Sequence, residues 1–141
     1  MCCKNTNAKE THFGACCSRP DLYGIIIPGK HGKLLATLYT AGGEGPHPTI
    51  LLLHGIPGSE QNLDLAQAFR RAGFHVMTFH YSGSWGSSGN YSLQNDLDDA
   101  ETVLDFILID TTYGFDKDKI YAAGHSLGGF VCGQTAARRP E

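Results

Sequence analysis

A serine flanked by glycines is the residue in this sequence best placed to do chemistry. Ser126 lies at the centre of the segment Gly-His-Ser-Leu-Gly, residues 124–128. The pattern Gly-x-Ser-x-Gly is typical of a nucleophile elbow, a sharp turn from a strand into a helix that lifts the serine hydroxyl above the edge of a sheet. So tight a turn leaves room only for hydrogen two residues to either side. We therefore predict that Ser126 is a nucleophile whose turn is supported by Gly124, His125 and Gly128.

A second glycine-rich segment, His-Gly-Ile-Pro-Gly at residues 54–58, directly follows an aliphatic stretch. From there it can aim a backbone N–H over the same sheet edge. Acyl transfer places negative charge on a carbonyl oxygen, and one N–H donor held ready for that oxygen is worth about 2.7 to 4 kcal/mol. We expect the N–H groups of Ile56 and Leu127 to be the two donors. The remaining loop residues would support them: His54, Gly55, Pro57 and Gly58.

The histidines offer no obvious general base for Ser126. His54 could serve as one, but its place in the loop motif favours a structural role in which it bonds the loop that follows. His125 is adjacent to the serine, and neighbouring side chains point apart. His75 and His80 lie at opposite ends of one predicted strand and on opposite faces of it, so we expect neither to belong to a metal site.

The elements that must position these residues alternate between short apolar runs and helical segments, as in strand-helix units on a parallel sheet. An antiparallel hairpin, residues 22–27 and 33–40, is predicted to precede three such units. The predicted strands of the units are Thr49–Leu53, His75–His80 and Lys119–Gly124, and their helices cover residues 60–72, 93–108 and 127–139. The fold class is therefore α/β.

Four acids crowd the start of the second of these helices. Asp96, Asp98, Asp99 and Glu101 follow Ser92, which is a plausible N-cap. Carboxylates favour the positive end of a helix dipole, so we interpret the four as solvated helix acids. A metal-binding acid cluster is the less favoured interpretation.

Composition limits the classes of partner. A chain of 141 residues with net charge -3 and scattered basic residues fits one domain, with no electrostatic footprint for nucleic acid or for an anionic membrane. We interpret residues 1–20 as a polar leader and residues 21–141 as the domain. The leader has no signal-peptide core, and no apolar run reaches the length of a membrane helix. The expected location is cytoplasmic.

The five cysteines form two adjacent pairs, at residues 2–3 and 16–17, plus Cys132. This odd total lacks the spacing of a disulfide framework, and no Cys-x-x-Cys is present. A structural zinc site is possible in principle, but free thiols are the favoured interpretation. We expect neither a metal nor any other cofactor.

Together the motifs resemble the α/β-hydrolase superfamily, specifically its serine aminopeptidase-like and acyl-peptidase-like branch. In that branch a His-Gly-x-Pro-Gly loop is followed by Tyr-x-Gly-x-x-Gly-x-Ser, which is found here at residues 81–88. The resemblance covers residues 22–140. It implies a three-layer α/β-hydrolase fold, present here only in its N-terminal part, in which the segment at residues 81–88 shapes the acyl or leaving-group pocket. Trp85 either lines that pocket or is simply packed.

The resemblance also implies a catalytic triad in the order serine, acid, histidine. Only 15 residues follow Ser126, none of them Asp or His, and Glu141 is the last. We therefore expect negligible turnover from this chain alone. We also expect the third parallel strand to have a bare apolar edge, through which the chain is unstable or self-associates.

The predicted function is hydrolysis of an ester or amide bond in a small-molecule or peptide substrate, through an acyl-enzyme on Ser126. The sequence does not choose among esters, thioesters and peptides. Two alternatives are a non-catalytic half-domain that acts as a binding protein, and acyl transfer to an acceptor other than water.

Overall fold

The strands and helices follow one another in the alternating order that the sequence predicts. The computed structural model describes residues 19–56, 58–59 and 61–140. The predicted leader lies outside this range except for Arg19 and Pro20. The elements are β1 (Leu22–Pro28), β2 (Lys33–Tyr39), β3 (His47–Leu53), α1 (Leu63–Arg71), β4 (His75–Phe79), α2 (Leu93–Ile109), β5 (Phe115–Gly124) and α3 (Leu127–Arg138).

The five strands form one sheet in the order β1-β2-β4-β3-β5. The predicted hairpin is confirmed, since β1 and β2 pair antiparallel. β2 then pairs antiparallel with β4, while β3 pairs in parallel with both β4 and β5. The chain therefore moves to opposite sides of β3 in its second and third units. Ligand sites in open α/β sheets form at such a switch point, outside the carboxyl ends of the strands.

Helices cover both faces of the sheet, which gives the predicted three layers. Alternate residues of β3 point to opposite faces. Leu51 and Leu53 join the large core formed with α2 and α3, whereas Leu52 joins a smaller cluster with Ala66 of α1. Because both faces are covered, β3 is aliphatic along most of its length, as is usual for a central parallel strand.

The starts of three elements differ from the prediction by two or more residues. β3 begins at His47 and β5 at Phe115, and these two residues are paired. The register then shifts, because the next pair is Thr49 with Ile120. The charged residues between Phe115 and Ile120 hide the start of β5 from an analysis of hydropathy. α1 begins at Leu63 instead of residue 60.

The interpretation of the α2 acids as solvated is wrong for two of the four. Ser92 does cap the helix, by accepting a hydrogen bond from the Asn95 N–H. Asp96 and Asp99, however, are fully buried. Asp99 accepts hydrogen bonds from Ser82, at 2.7 Å from the backbone N–H and 2.9 Å from the hydroxyl. Asp99 points into the protein, where it meets polar groups of the loop that follows β4, whereas Asp96 is buried without a hydrogen bond.

The other two acids of α2 lie at the surface in ion pairs. Asp98 lies 2.8 Å from His31 Nε2, and Glu101 lies 3.1 Å from Arg138 of α3. Within the part of the chain that the structure describes, no three or more His, Cys, Asp or Glu side chains are arranged to hold a metal. Cys132 is a free thiol, and the paired cysteines lie outside the described residues. None of the described helices combines the length and the apolar character that crossing a membrane requires.

Candidate active site

Ser126 occupies a strained turn between β5 and α3. Its backbone angles are φ 56° and ψ −122°. A non-glycine residue with positive φ is uncommon, and such strain persists only where the surrounding structure imposes it. β5 ends two residues before Ser126 and α3 begins at the residue after it, so the turn is as short as the elbow motif predicts. The side chain is exposed at the carboxyl edge of the sheet.

Close backbone packing explains the two glycines of the motif. A Cβ placed on Gly124 would collide with the carbonyl oxygen of Gly128. A Cβ placed on Gly128 would collide with the carbonyl oxygen of Leu53, at the end of β3. The elbow therefore packs directly on the end of the central strand, and a side chain at either position would separate them.

The loop that follows β3 lies against the elbow. A Cβ placed on Gly55 would lie 3.2 Å from Ser126 Cβ and 3.7 Å from Ser126 Oγ. The next residue, Ile56, is exposed, and its N–H makes no hydrogen bond among the described residues. Leu127 is the first residue of α3, so its N–H has no acceptor within the helix. The structure thus brings the two predicted donor segments to the same end of the sheet as Ser126. Pro57 lies outside the described residues.

His54 is bonded into its own loop. Its ring is buried, and Nδ1 donates a 2.8 Å hydrogen bond to the carbonyl of Gly55. The ring also packs on Tyr81, with 4.5 Å between ring centroids, and the Tyr81 hydroxyl donates to the His54 carbonyl at 3.3 Å. Burial lowers the pKa of His54. At neutral pH His54 is therefore uncharged, and its ring supports the loop that follows β3.

The other histidines near the elbow do not hydrogen-bond to Ser126. His125 is exposed, and its carbonyl accepts a 3.0 Å hydrogen bond from the Gly128 N–H. The ring of His80 lies 5.5 Å from that of His54, and its Nε2 lies 3.1 Å from the side-chain nitrogen of Gln61. Burial, and then the proximity of His54, lowers the pKa of His80. Among the described residues, Ser126 Oγ has no hydrogen-bond partner.

Residues 81–88, here called the serine loop, are fastened to the sheet by their hydroxyl groups. Ser87 Oγ accepts a 2.9 Å hydrogen bond from the Leu35 N–H of β2 and donates at 2.7 Å to the His80 carbonyl. Ser88 Oγ accepts at 2.6 Å from another N–H of β2. These bonds take up N–H groups of β2 that lie beyond the end of its pairing with β4. In the sequence the loop is visible only as a motif, because hydroxyl-to-backbone bonds leave no periodic signal.

A small cavity of about 240 Å³ opens beside the elbow. We call it the site cavity. Its lining is His54, Gly55, Ile56, Tyr81, Ser84, Tyr91 and Leu127. Trp85 is not part of this lining. It is 55% exposed, and its indole nitrogen would lie 2.8 Å from a Cβ placed on Gly58, so it stands beside the loop instead.

A larger cavity, about 440 Å³, lies along the outer edge of β5. We call it the edge groove. It is lined by residues of β5, α2 and α3 together with Leu51 and Arg139, and none of them belongs to the elbow turn or to the loop after β3. Size alone would select the edge groove as the ligand site, but only the site cavity adjoins Ser126.

Comparison with known families agrees with this architecture. The model of the alpha/beta hydrolase fold family matches residues 48–141, which is more than half of the chain. This chain belongs to the α/β-hydrolase fold family.

Relatives of known name are similar over a shorter region. The lysophosphatidylserine lipase ABHD12 of Bos taurus is 37% identical over 86 residues, which cover 58% of this chain and 20% of the bovine protein. The Danio rerio protein of the same name is 31% identical over 96 residues, or 66% of this chain and 24% of the fish protein. The chain thus matches between a fifth and a quarter of the length of these curated relatives.

Solved structures share the fold over most of this chain. A protein of unknown function from Agrobacterium tumefaciens, ATU1826, is 26% identical with a TM-score of 0.74, covering 84% of this chain and 56% of that protein. Est1E of Butyrivibrio proteoclasticus, solved with ferulic acid bound, is 23% identical with a TM-score of 0.72, covering 82% of this chain and 48% of Est1E. About half of each of these structures therefore has no counterpart in this chain, which agrees with the predicted incomplete fold.

Proposed function

We propose that this chain carries the nucleophile and the oxyanion-binding half of a serine hydrolase site. The observation that carries the proposal is the strained backbone of Ser126 at a strand-to-helix turn packed against the loop after β3. Maintaining such strain at an exposed serine is typical of functional sites. The fold family of the chain supports the same assignment.

The reaction is acyl transfer through a covalent intermediate. Ser126 Oγ attacks the carbonyl carbon of the substrate and forms a bond to it, while the carbonyl oxygen becomes an oxyanion held by the N–H groups of Ile56 and Leu127. Collapse of this intermediate releases the alcohol or amine, which takes up a proton. Water then attacks the acyl-serine and releases the acid.

The first step needs a general base that accepts the proton from Ser126 Oγ. No hydrogen bond connects a described residue to that atom. His75 is bonded elsewhere through both ring nitrogens, whereas His54 is bonded to Gly55 through Nδ1 and its Nε2 is buried without a hydrogen-bond partner. We therefore place the base outside the described residues. This chain alone would retain only the fraction of catalysis that an oxyanion site gives without its triad.

A carboxylic ester is the substrate class we favour over a peptide or a thioester. The site cavity is lined largely by aromatic and aliphatic side chains, and it offers few polar groups that could bind a peptide backbone. The names of the curated relatives describe a lipase that acts on a lysophospholipid. An apolar acyl group next to Ser126 is consistent with both observations.

Fluorophosphonate labelling tests the nucleophile. The chain is incubated with an alkyl fluorophosphonate, with and without added imidazole as an external base, and the adducts are located by peptide mass spectrometry. We expect an adduct on Ser126 that imidazole increases. Ser126→Ala should lose it, while Ser59→Ala, which alters another exposed serine, should keep it.

Two results would contradict the proposal. One is labelling of Ser126 no faster than labelling of the other serines in the presence of imidazole. The other is an adduct that persists elsewhere in Ser126→Ala at the wild-type yield. Either result would favour a non-catalytic half-domain that binds a partner.

A further inference from the structure

Asp96 is a buried carboxyl group with no obvious task in holding the fold together. It has no exposed surface, and neither of its carboxylate oxygens has a hydrogen bond among the described residues. A buried carboxylate without hydrogen bonds is costly, and native proteins seldom keep one without a reason. Asp99, one turn along α2, differs because Ser82 occupies both of its oxygens.

Three titratable groups face Asp96, one from each neighbouring segment. Asp99 lies on the same helix, Tyr91 lies just before that helix, and Tyr81 follows β4. Burial is the main cause that raises the pKa of Asp96, and the charge of Asp99 raises it further, to about 6. An interaction with the Tyr91 hydroxyl acts in the opposite direction and lowers that pKa. Tyr91 is therefore the neighbour that stabilises the ionised form of Asp96.

Both tyrosines line the site cavity, but they differ in freedom. Tyr81 is only 1% exposed and is fixed by its ring contact with His54 and by its hydrogen bond to the His54 carbonyl. Tyr91 is 45% exposed and does not belong to the buried core. An interaction that fixes the Tyr91 ring therefore also fixes the shape of this side of the site cavity.

We propose that Asp96 is a positioning residue: its ionised carboxylate attracts the neighbouring Tyr91 hydroxyl and so holds the Tyr91 ring as a wall of the site cavity. Charged acceptors form stronger hydrogen bonds than neutral ones, so protonation of Asp96 weakens the hold and frees the ring. The consequence for substrates rests on the proposed function, because only then does the cavity take the acyl group. The link between Asp96 and Tyr91 does not depend on catalysis.

The direction of the pH effect follows from the pKa of Asp96. Above about pH 6 the carboxylate is charged and the Tyr91 ring is held against the cavity. As the pH falls through this value, Asp96 takes up a proton and Tyr91 is released. The Tyr91 hydroxyl stays protonated throughout, since burial and the nearby Asp96 both raise its pKa.

Nuclear magnetic resonance of the chain with ¹³C-labelled tyrosine tests the link directly. The Tyr91 ring signal is assigned by its loss in Tyr91→Phe and then followed from about pH 4.5 to 8. We expect it to shift with a midpoint near 6 in the wild type and to stay constant in Asp96→Asn. Asp98→Asn, which alters an acid of the same helix that pairs with His31, should keep the shift.

A Tyr91 signal that does not titrate in the wild type would overturn the inference. So would a shift that persists in Asp96→Asn, because Asp99 or a histidine would then be its source. These outcomes concern only the coupling and leave the role of Ser126 untouched.

A second readout connects the coupling to the cavity. Labelling of Ser126 in the presence of imidazole is compared for a methyl fluorophosphonate and for one with a long alkyl chain. Asp96→Asn and Tyr91→Phe should both slow the long-chain probe relative to the methyl probe, whereas loss of folded protein would slow both equally. If Tyr91 titrates but Ser126 takes no adduct, the coupling stands and the proposed hydrolase function fails. If neither variant changes the ratio of the two rates, Asp96 does not position a wall of the cavity.

Discussion

At the scale of single residues, the candidate site depends on positions where the backbone atoms of neighbouring segments are in close contact. A non-glycine residue in a sparsely populated region of φ and ψ costs on the order of 1 to 3 kcal/mol, and Ser126 is such a residue. The packing of α3 on the end of β3 compensates for this cost. That packing requires Gly128, whose Cα faces the Leu53 carbonyl with no space for a methyl group.

Two glycines of α3 should therefore respond in opposite ways to the same substitution. We expect Gly128→Ala to lower the free energy of unfolding by more than about 2 kcal/mol, because the elbow must move away from β3. Gly133→Ala should raise it by about 0.5 to 1 kcal/mol, because a Cβ there meets open space and alanine favours the helix. Urea denaturation of both variants measures the difference. Equal effects of the two substitutions would contradict the close contact between Gly128 and the Leu53 carbonyl.

Burial of His75 makes the stability of the fold depend on pH. The ring accepts a 3.0 Å hydrogen bond from the Ala41 N–H at Nδ1 and donates one of 3.0 Å to the Tyr113 carbonyl from Nε2. Both bonds require the neutral ring. Burial lowers the pKa of His75 from its ordinary value of 6.5 to about 4.

His75 therefore becomes protonated below about pH 6.5 in the unfolded chain, but only near pH 4 in the folded chain. The stabilisation is complete above pH 6.5 and is lost as the pH falls toward 4. We expect the contribution of His75 to the free energy of unfolding to drop by about 1 to 2 kcal/mol between pH 7 and pH 5, while the raised pKa of Asp96 acts in the opposite direction. Urea titrations at several pH values check this: His75→Gln should remove the contribution of His75 and so change the slope of stability against pH, whereas His125→Gln, at an exposed position, should keep the wild-type slope. A wild-type slope in His75→Gln would assign the pH dependence to other groups.

At the scale of elements, the serine loop shows how side chains can complete a sheet. β4 pairs with β2 only along residues 76–79, and the hydroxyls of Ser87 and Ser88 then serve the remaining N–H groups of β2. The loop is thereby fastened to the part of β2 that β4 does not reach. It places Tyr81 beneath His54, and so it supports the loop next to Ser126.

Removal of one of these hydroxyls should lower the free energy of unfolding by more than the small size of the group suggests. Ser87→Ala leaves the Leu35 N–H and the His80 carbonyl without their shared partner, and we expect a loss of about 1 to 3 kcal/mol in the free energy of unfolding. Ser59→Ala, at an exposed loop position, should change it by less than about 0.5 kcal/mol. Urea denaturation compares the two. If Ser87→Ala is as harmless as the control, water replaces the hydroxyl and the loop is not held by Ser87.

The sequence predicts the elements well because strands and helices produce periodic patterns of apolar residues. The hairpin, the three units and the elbow at Ser126 all follow from such patterns and from turn residues. Burial of polar groups leaves no comparable pattern, and for that reason Asp96 and Asp99 are indistinguishable in the sequence from Asp98, which is only partly buried. The strand pairing of β2 with β4 is likewise absent from any local signal, because it joins residues far apart in the chain.

At the scale of the whole molecule, the two edges of the sheet differ. β1 forms one edge and β5 the other. On β5, Tyr121 is 50% exposed and lies in the edge groove, as predicted for a third parallel strand with a bare edge. Charged residues at positions 116–119 protect only the first part of this strand. Its second part offers apolar side chains and a strand edge that has no partner among the described residues.

Self-association through the β5 edge remains a prediction. We expect the sedimentation coefficient to rise with protein concentration, and Tyr121→Lys to weaken this dependence because charge disfavours edge pairing. Ile26→Lys, at a 61% exposed position on the opposite edge, should leave it unchanged. Analytical ultracentrifugation distinguishes these cases. A wild-type chain that stays monomeric at all concentrations, or an effect of Ile26→Lys equal to that of Tyr121→Lys, would contradict association through β5.

The switch in strand order at β3 also has a consequence for engineering. Because β4 and β5 lie on either side of β3, the loop after β3, the serine loop and the elbow converge at one end of the sheet from a single continuous stretch of chain. The proposed nucleophile and its proposed oxyanion donors therefore lie on one continuous segment, here called the cassette. A separate polypeptide that adds a strand at the β5 edge and contributes a histidine could complete this cassette without a covalent link, as in a split enzyme reconstituted from two parts.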